Sequence, residues 1–226
     1  MNQSIPEDLV RYVEEHILPQ YHGFDKAHRL DHAARVIEES LQLAALYKAD
    51  LSMAYVIAAY HDTGLCEGRE LHHLVSGKIL AEDACLRQWF TPEQLQVMKE
   101  AVEDHRASCD HEPRSLYGKI VAEADRIIDP EITLRRTVQY GLSHYPEMTA
   151  EEQYARFKEH LTVKYGPNGY LQLWIPESSN AARLAEFRKI LADEEQLRST
   201  FRRLYEAEQQ AASANAPADK KTKVTN

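Results

Sequence analysis

His61 and Asp62 stand side by side at the end of an apolar run, Met53-Ala54-Tyr55-Val56-Ile57-Ala58-Ala59-Tyr60. Such a run buries its neighbours, and a buried carboxylate neutralises, pairs or binds a metal. Further potential ligands flank the pair: His28 and His32 upstream, and His72, His73, His105 and Asp125 downstream. Mixed nitrogen and oxygen donors suit Mn, Fe, Co, Ni or Zn, and the carboxylates also suit Mg. His28 and His32 are four apart, so on a helix they face nearly the same side. One could ligate while the other reaches a substrate. Asp125 falls within Ile120-Val121-Ala122-Glu123-Ala124-Asp125-Arg126-Ile127-Ile128, whose apolar neighbours place it near a buried face where it requires a cation.

These residues have to be positioned by helices. Gly (8) and Pro (9) are few, and apolar residues recur at helical spacing along most of the chain. The pattern predicts a first helix from Pro6 to about Ile17 and a loop over Tyr21-His22-Gly23-Phe24. A second helix is capped by Asp25, and a third, capped by Asp50, ends near His61-Asp62-Thr63-Gly64. Gly64 suits a left-handed terminus there. Further helices are expected over Leu71–Arg87, Thr91-capped to about Arg106, and Leu116–Ile128. After Pro130, helices are expected over Glu131–Tyr140 and Ala150–Lys164, the latter capped by Thr149. A long final helix is expected after Asn180.

The chain has 226 residues, enough for one good-sized domain. A net charge of −9 argues against a general nucleic-acid binder, which would be basic. No apolar stretch reaches membrane-spanning length and no secretory leader is visible, so neither membrane nor export is expected. The three cysteines, Cys66, Cys85 and Cys109, lack CxxC spacing; reduced, core-filling thiols and a cytoplasmic location are expected.

Three elements, His32-Ala33-Ala34-Arg35-Val36, His61-Asp62-Thr63-Gly64 and Ala124-Asp125-Arg126, resemble in order and spacing the HD domain of the metal-dependent phosphohydrolase superfamily. The resemblance implies an all-α helical bundle, with His32, His61, Asp62 and Asp125 as metal ligands. It also implies that His73 and His105 match the extra histidines that bind a second metal in some members, so one or two divalent ions are expected. We expect one domain over residues 1–210. It comprises a metal-binding core over about 25–130, a helical extension over 131–210 and then a disordered tail over 211–226. The implied activity is hydrolysis of a small phosphorylated molecule, a nucleotide above others, by water attacking phosphorus. His28, Arg69 and Lys78 are the expected substrate contacts, and the last helix could support a homodimer. The sequence departs from one nucleotidase branch, which has Glu three residues after the doublet; Leu65 stands there, so that branch's acid-base assignment does not carry over.

Plainer readings compete. The doublet with His32 and Asp125 could be a buried ion-pair network. His73 and His105 could be ordinary helix-end histidines, and Arg69 and Lys78 solvated charges. His72 is expected to face solvent. Two other functions fit the same residues: a di-iron oxygenase, and a non-catalytic module that uses the metal for folding.

Overall fold

The computed structural model describes residues 4–23, 30–109, 111–126 and 128–214, with side chains to 211. The described residues form ten α-helices and three 3-10 turns and contain no strand. The expected cap Asp25 lies outside the described residues, as does the chain beyond Ala214. No described helix is long and apolar enough to cross a membrane.

The chain forms two compact units. The first takes Met1–Ile127 and Leu171–Ala182. It holds α1 (Glu7–His16), α2 (Leu30–Leu46), α3 (Leu51–Tyr60), α4 (His72–Glu82), α5 (Pro92–Glu103) and α6 (Leu116–Asp125). Helix α3 is apolar on every side, so it can be stable only at the centre. All of Met53–Tyr60 is buried, and α2, α4, α5 and α6 pack around it. Each neighbour contributes a stripe at i, i+3 and i+4 spacing, for example Ala33, Val36, Ser40 and Leu43 of α2. Helix ends are set by local chemistry. The Asp50 carboxylate accepts from Ser52 and Met53 N–H groups, and Thr91 and Gln94 form a reciprocal capping box. Ser115 caps α6 in the same way.

The segment Leu171–Ala182 returns to this unit as an irregular strap. It is pinned by Glu123, whose side chain is fully buried in α6. The Glu123 carboxylate accepts from the backbone N–H groups of Trp174 (2.8 Å) and Ile175 (3.3 Å) and from the Ser178 hydroxyl. The Asn180 amide donates to the Glu123 carbonyl at 2.9 Å. Ile175 packs with Leu43, Ala54 and Ile120 in a small apolar cluster.

The second unit takes Ile128–Tyr170 and Arg183–Asn226. It contains α7 (Pro130–His144), α8 (Ala150–Tyr165), most of α9 (Ser179–Ala192) and α10 (Glu194–Ala214). Tyr154, Phe157 and Phe201 make its main aromatic contact.

Several elements differ from the sequence reading. The expected loop around Tyr21 is a 3-10 helix, Leu18–Gly23, with Tyr21 fully buried. The expected Leu71–Arg87 helix stops at Glu82, because Asp83 caps the 3-10 turn Ala84–Gln88 through the Cys85 N–H. The long final helix is two helices, broken at Asp193, whose carboxylate accepts from Gln196 N–H at the start of α10. Helix α10 runs to Ala214, past the expected start of the tail at 211, on alanines and glutamines that favour helix. Cys66 and Cys85 are exposed and Cys109 half-buried, so none is a core filler.

Gly64 is also explained differently. Its backbone is not left-handed; space is what requires glycine. A Cβ there would lie 2.2 Å from the His72 carbonyl oxygen, 2.6 Å from Ser76 N and 2.8 Å from Val75 Cβ. The Gly64 N–H donates to Ser76 Oγ at 2.8 Å, so the turn after α3 lies directly on the first turns of α4. Gly64→Ala is therefore expected to lower stability by about 1–3 kcal/mol through overpacking. Urea denaturation monitored by circular dichroism would measure it.

Candidate metal centre

Helix α3 delivers the doublet as it ends. His61 follows its last residue, and at Asp62 the backbone leaves the helix with φ −111° and ψ 4°. The carbonyls at a helix terminus need new partners, and here side chains supply them. His61 Nδ1 donates to the Ala58 carbonyl (2.7 Å), the Tyr21 hydroxyl to that of Ala59 (2.9 Å) and the Thr63 hydroxyl to that of Tyr60 (2.8 Å). Satisfying the helix end thus fixes the His61 ring and its tautomer.

The same device recurs twice. His72 Nδ1 donates to the Arg69 carbonyl at 2.8 Å, and His105 Nδ1 to the Val102 carbonyl at 2.6 Å. A carbonyl can only accept, so all three rings carry their proton on Nδ1 and, when neutral, offer a bare lone pair at Nε2. The turn bearing His105 is held by its neighbour Asp104. The Asp104 carboxylate accepts from Arg114 N–H, from the Arg114 guanidinium and from His111 Nε2. Burial works against ionisation of Asp104, but the Arg114 pair holds its carboxyl below the usual range.

The lone pairs converge on Asp62, which is only 2% exposed. One oxygen, Oδ2, lies 3.2 Å from His61 Nε2 and 3.6 Å from His32 Nε2. The other, Oδ1, lies 3.3 Å from His72 Nε2 and 3.6 Å from His105 Nε2. His32 and His61 Nε2 are 3.2 Å apart, and His72 and His105 Nε2 are 3.1 Å apart. Asp125 Oδ1 joins the first group at 3.2 Å from His32 Nε2 and 3.9 Å from His61 Nε2. Two ligands about 2.1 Å from one ion are separated by about 3.0 Å in octahedral and about 3.4 Å in tetrahedral geometry. The observed spacings fit. The arrangement is two ligand groups sharing one carboxylate: His32, His61, Asp62 and Asp125, and Asp62, His72 and His105. Either can hold a divalent cation. Asp125, with 25% of its side chain exposed, is the most accessible ligand in the first group.

The electrostatics agree with a site built for positive charge. Burial disfavours the charged form of His61, yet the carboxylates of Asp62 and Asp125 raise its pKa to about 9. Burial opposes ionisation of Asp62 as well, and the His61, His105 and His72 rings hold its carboxyl far below the usual carboxylate range. Asp125 is likewise held low by His32 and His61 against its burial.

Of the residues singled out from sequence, His32, His61, Asp62, Asp125 and His105 come together. His73 does not: His72 takes its place beside His105, buried rather than solvent-facing. The signal was available in α4, where His72, Ser76 and Leu80 form a buried i, i+4, i+8 stripe. His73 lies about 100° away around the helix. It is half-buried, and burial, followed by the charge of Arg106, lowers its pKa to about 4. Lys78 is exposed about 240° around the helix from His72, on the face away from the cluster. Arg69 is exposed in the turn before α4 and supplies the carbonyl that orients His72. His28 lies outside the described residues. Tyr21 was missed altogether; its only sequence signal was an aromatic residue within what reads as a turn.

His72→Ala is expected to halve the metal stoichiometry at saturation, and His73→Ala to leave it unchanged, as read by inductively coupled plasma mass spectrometry after equilibrium dialysis. pH gives a second check. The raised His61 pKa stabilises the metal-free fold fully below about 6.5, the unfolded value. That contribution is lost as pH rises through about 9. The thermal midpoint of chelator-dialysed protein should therefore fall over this interval, while metal affinity rises as the competing proton leaves. Calorimetry across pH 6 to 10 would show both trends.

Residues 29–128 match the family model of the HD domain. Among solved structures the chain is similar to that of a predicted HD superfamily hydrolase from an uncultured Thermotogales bacterium. The two share 21% sequence identity over 71% of this chain and 88% of that one, with a TM-score of 0.45. Among curated proteins none matches. All six converging side chains fall inside the matched segment, and the chain therefore carries an HD domain at residues 29–128.

Proposed function

We propose that this protein is a metal-dependent phosphohydrolase that uses two divalent ions and acts on a small phosphorylated molecule of the nucleotide class. The observation that carries the reading is the Asp62 carboxylate, which turns one oxygen to each of two imidazole groups. The phosphoryl chemistry rests on the HD domain, and the nucleotide on the resemblance drawn from the sequence. His32, His61, Asp62 and Asp125 would hold one ion, and Asp62, His72 and His105 the other. When bound, such ions lower the pKa of water and offset charge developing on a phosphoryl group. Four imidazoles with two carboxylates favour Mn, Fe, Co, Ni or Zn over Mg, which prefers oxygen ligands.

The chain's own residues do the remaining work. The carbonyls of Ala58, Arg69 and Val102 keep three imidazoles in the ligating tautomer. Asp125 stands at the accessible edge, where a polar substrate can approach. Arg106, next in sequence to His105, donates to the Glu70 carbonyl at 2.6 Å. It is close enough to lower the His73 pKa, which makes it a better candidate than Lys78 to meet a phosphate.

The test is phosphate or pyrophosphate release from a panel of nucleotides and simple phosphoesters, with wild type beside Asp62→Ala. Release should depend on added Mn, Co or Ni and fall to the background of free metal ion in the variant, because both ligand groups lose their shared member. The shared carboxylate and its imidazoles equally suit two irons of an oxygenase. Oxygen uptake by iron-loaded protein, with no phosphate release from any substrate, would establish that reading instead.

A further inference from the structure

Tyr21 enters the core from the 3-10 helix Leu18–Gly23 and is fully buried. Its hydroxyl does two things at once. It donates to the Ala59 carbonyl at 2.9 Å, and it accepts from the Asp62 backbone N–H at 3.3 Å. Those two groups are the last carbonyl region of α3 and the peptide at which the chain turns away from the helix. In a continuing helix the Asp62 N–H would point back to the Ala58 carbonyl. Here that carbonyl accepts from the His61 imidazole, and the phenol oxygen occupies the gap. The hydroxyl therefore acts as a spacer that keeps the helix from continuing through the shared ligand.

We propose that Tyr21 is a positioning residue for both metal ions at once, acting through the Asp62 peptide. The inference rests on the two-ion reading given above. Without the hydroxyl, the buried Ala59 carbonyl and Asp62 N–H lose their shared partner. The backbone then relaxes towards helix, and the Asp62 side chain swings with it. Because Asp62 alone serves both ligand groups, neither ion can be spared. Loss of His72, by contrast, touches one group only.

The discriminating comparison is Tyr21→Phe against Tyr60→Phe in the full chain. Tyr60 is equally buried, precedes His61 directly, and its hydroxyl donates to Asp83 at 2.5 Å without touching the doublet's backbone. Each variant would be titrated with Co²⁺, following visible absorption and binding by equilibrium dialysis, with urea unfolding of the metal-free forms alongside. We expect both variants to lose stability. In Tyr21→Phe alone, both Co²⁺ affinities should fall together by roughly 10- to 100-fold, with a changed ligand-field spectrum. Tyr60→Phe should keep wild-type affinities and spectrum, which also shows that lost stability is not the cause. Wild-type affinities in Tyr21→Phe, or weakening of one ion only, would overturn the inference and leave the metal centre standing. A wild type that binds no Co²⁺ would overturn the metal centre itself, and this inference with it.

Discussion

Asp62 presents both carboxylate oxygens to imidazole nitrogens whose protons are committed elsewhere, at the carbonyls of Ala58, Arg69 and Val102. Acceptors that face one another at 3.1 to 3.6 Å in a buried space repel unless a positive charge lies between them. Much of the first unit can be read as the means of enforcing that unfavourable convergence. Helix α3 is fixed by burial on all sides, so its end point is fixed as well. The close approach at Gly64 then sets the first turn of α4, and with it His72, against the same point. The Arg114–Asp104 pair does likewise for His105 from the end of α5.

The convergence has a common local origin. Each of His61, His72 and His105 bonds back to the carbonyl three residues earlier, at a place where regular helix is ending or beginning. Helix ends leave polar groups in need of partners. This fold answers that need with Nδ1 of the ring and leaves Nε2 facing Asp62, so backbone satisfaction and tautomer selection are one event.

Much of this was legible in the sequence. The all-apolar run before His61-Asp62 announced both the central helix and the buried doublet. Asp50, Thr91 and Thr149 were readable as caps because their side chains act on N–H groups two or three residues away. What could not be read depended on contacts between distant segments. His72 and His73 are indistinguishable by type, and only the phase of the buried stripe through Ser76 and Leu80 separates them. Gly64 looked like a conformational requirement and proved to be a steric one, since the atoms it avoids belong to α4. Beyond its being an aromatic residue in an apparent turn, Tyr21 gave no sign of its contacts, because its partners lie 38 and 41 residues away. Lys78 lies on the exposed side of α4, and which side that is depends on the same buried stripe.

The strap Leu171–Ala182 has a consequence for how the molecule is made. Glu123 sits two residues before the candidate ligand Asp125, and its buried carboxylate draws its donors from residues synthesised about fifty positions later. A chain emerging from the ribosome completes all six candidate ligands well before it can complete the burial of Glu123. A buried carboxyl left in that place without its hydrogen-bond partners would be destabilising by about 1–3 kcal/mol, so the first unit cannot close in its final form until the strap has arrived. The segment recognisable as an HD domain is therefore shorter than the segment that must fold together. A fragment cut at residue 128 would retain all six candidate ligands on a scaffold missing the partner of its last helix.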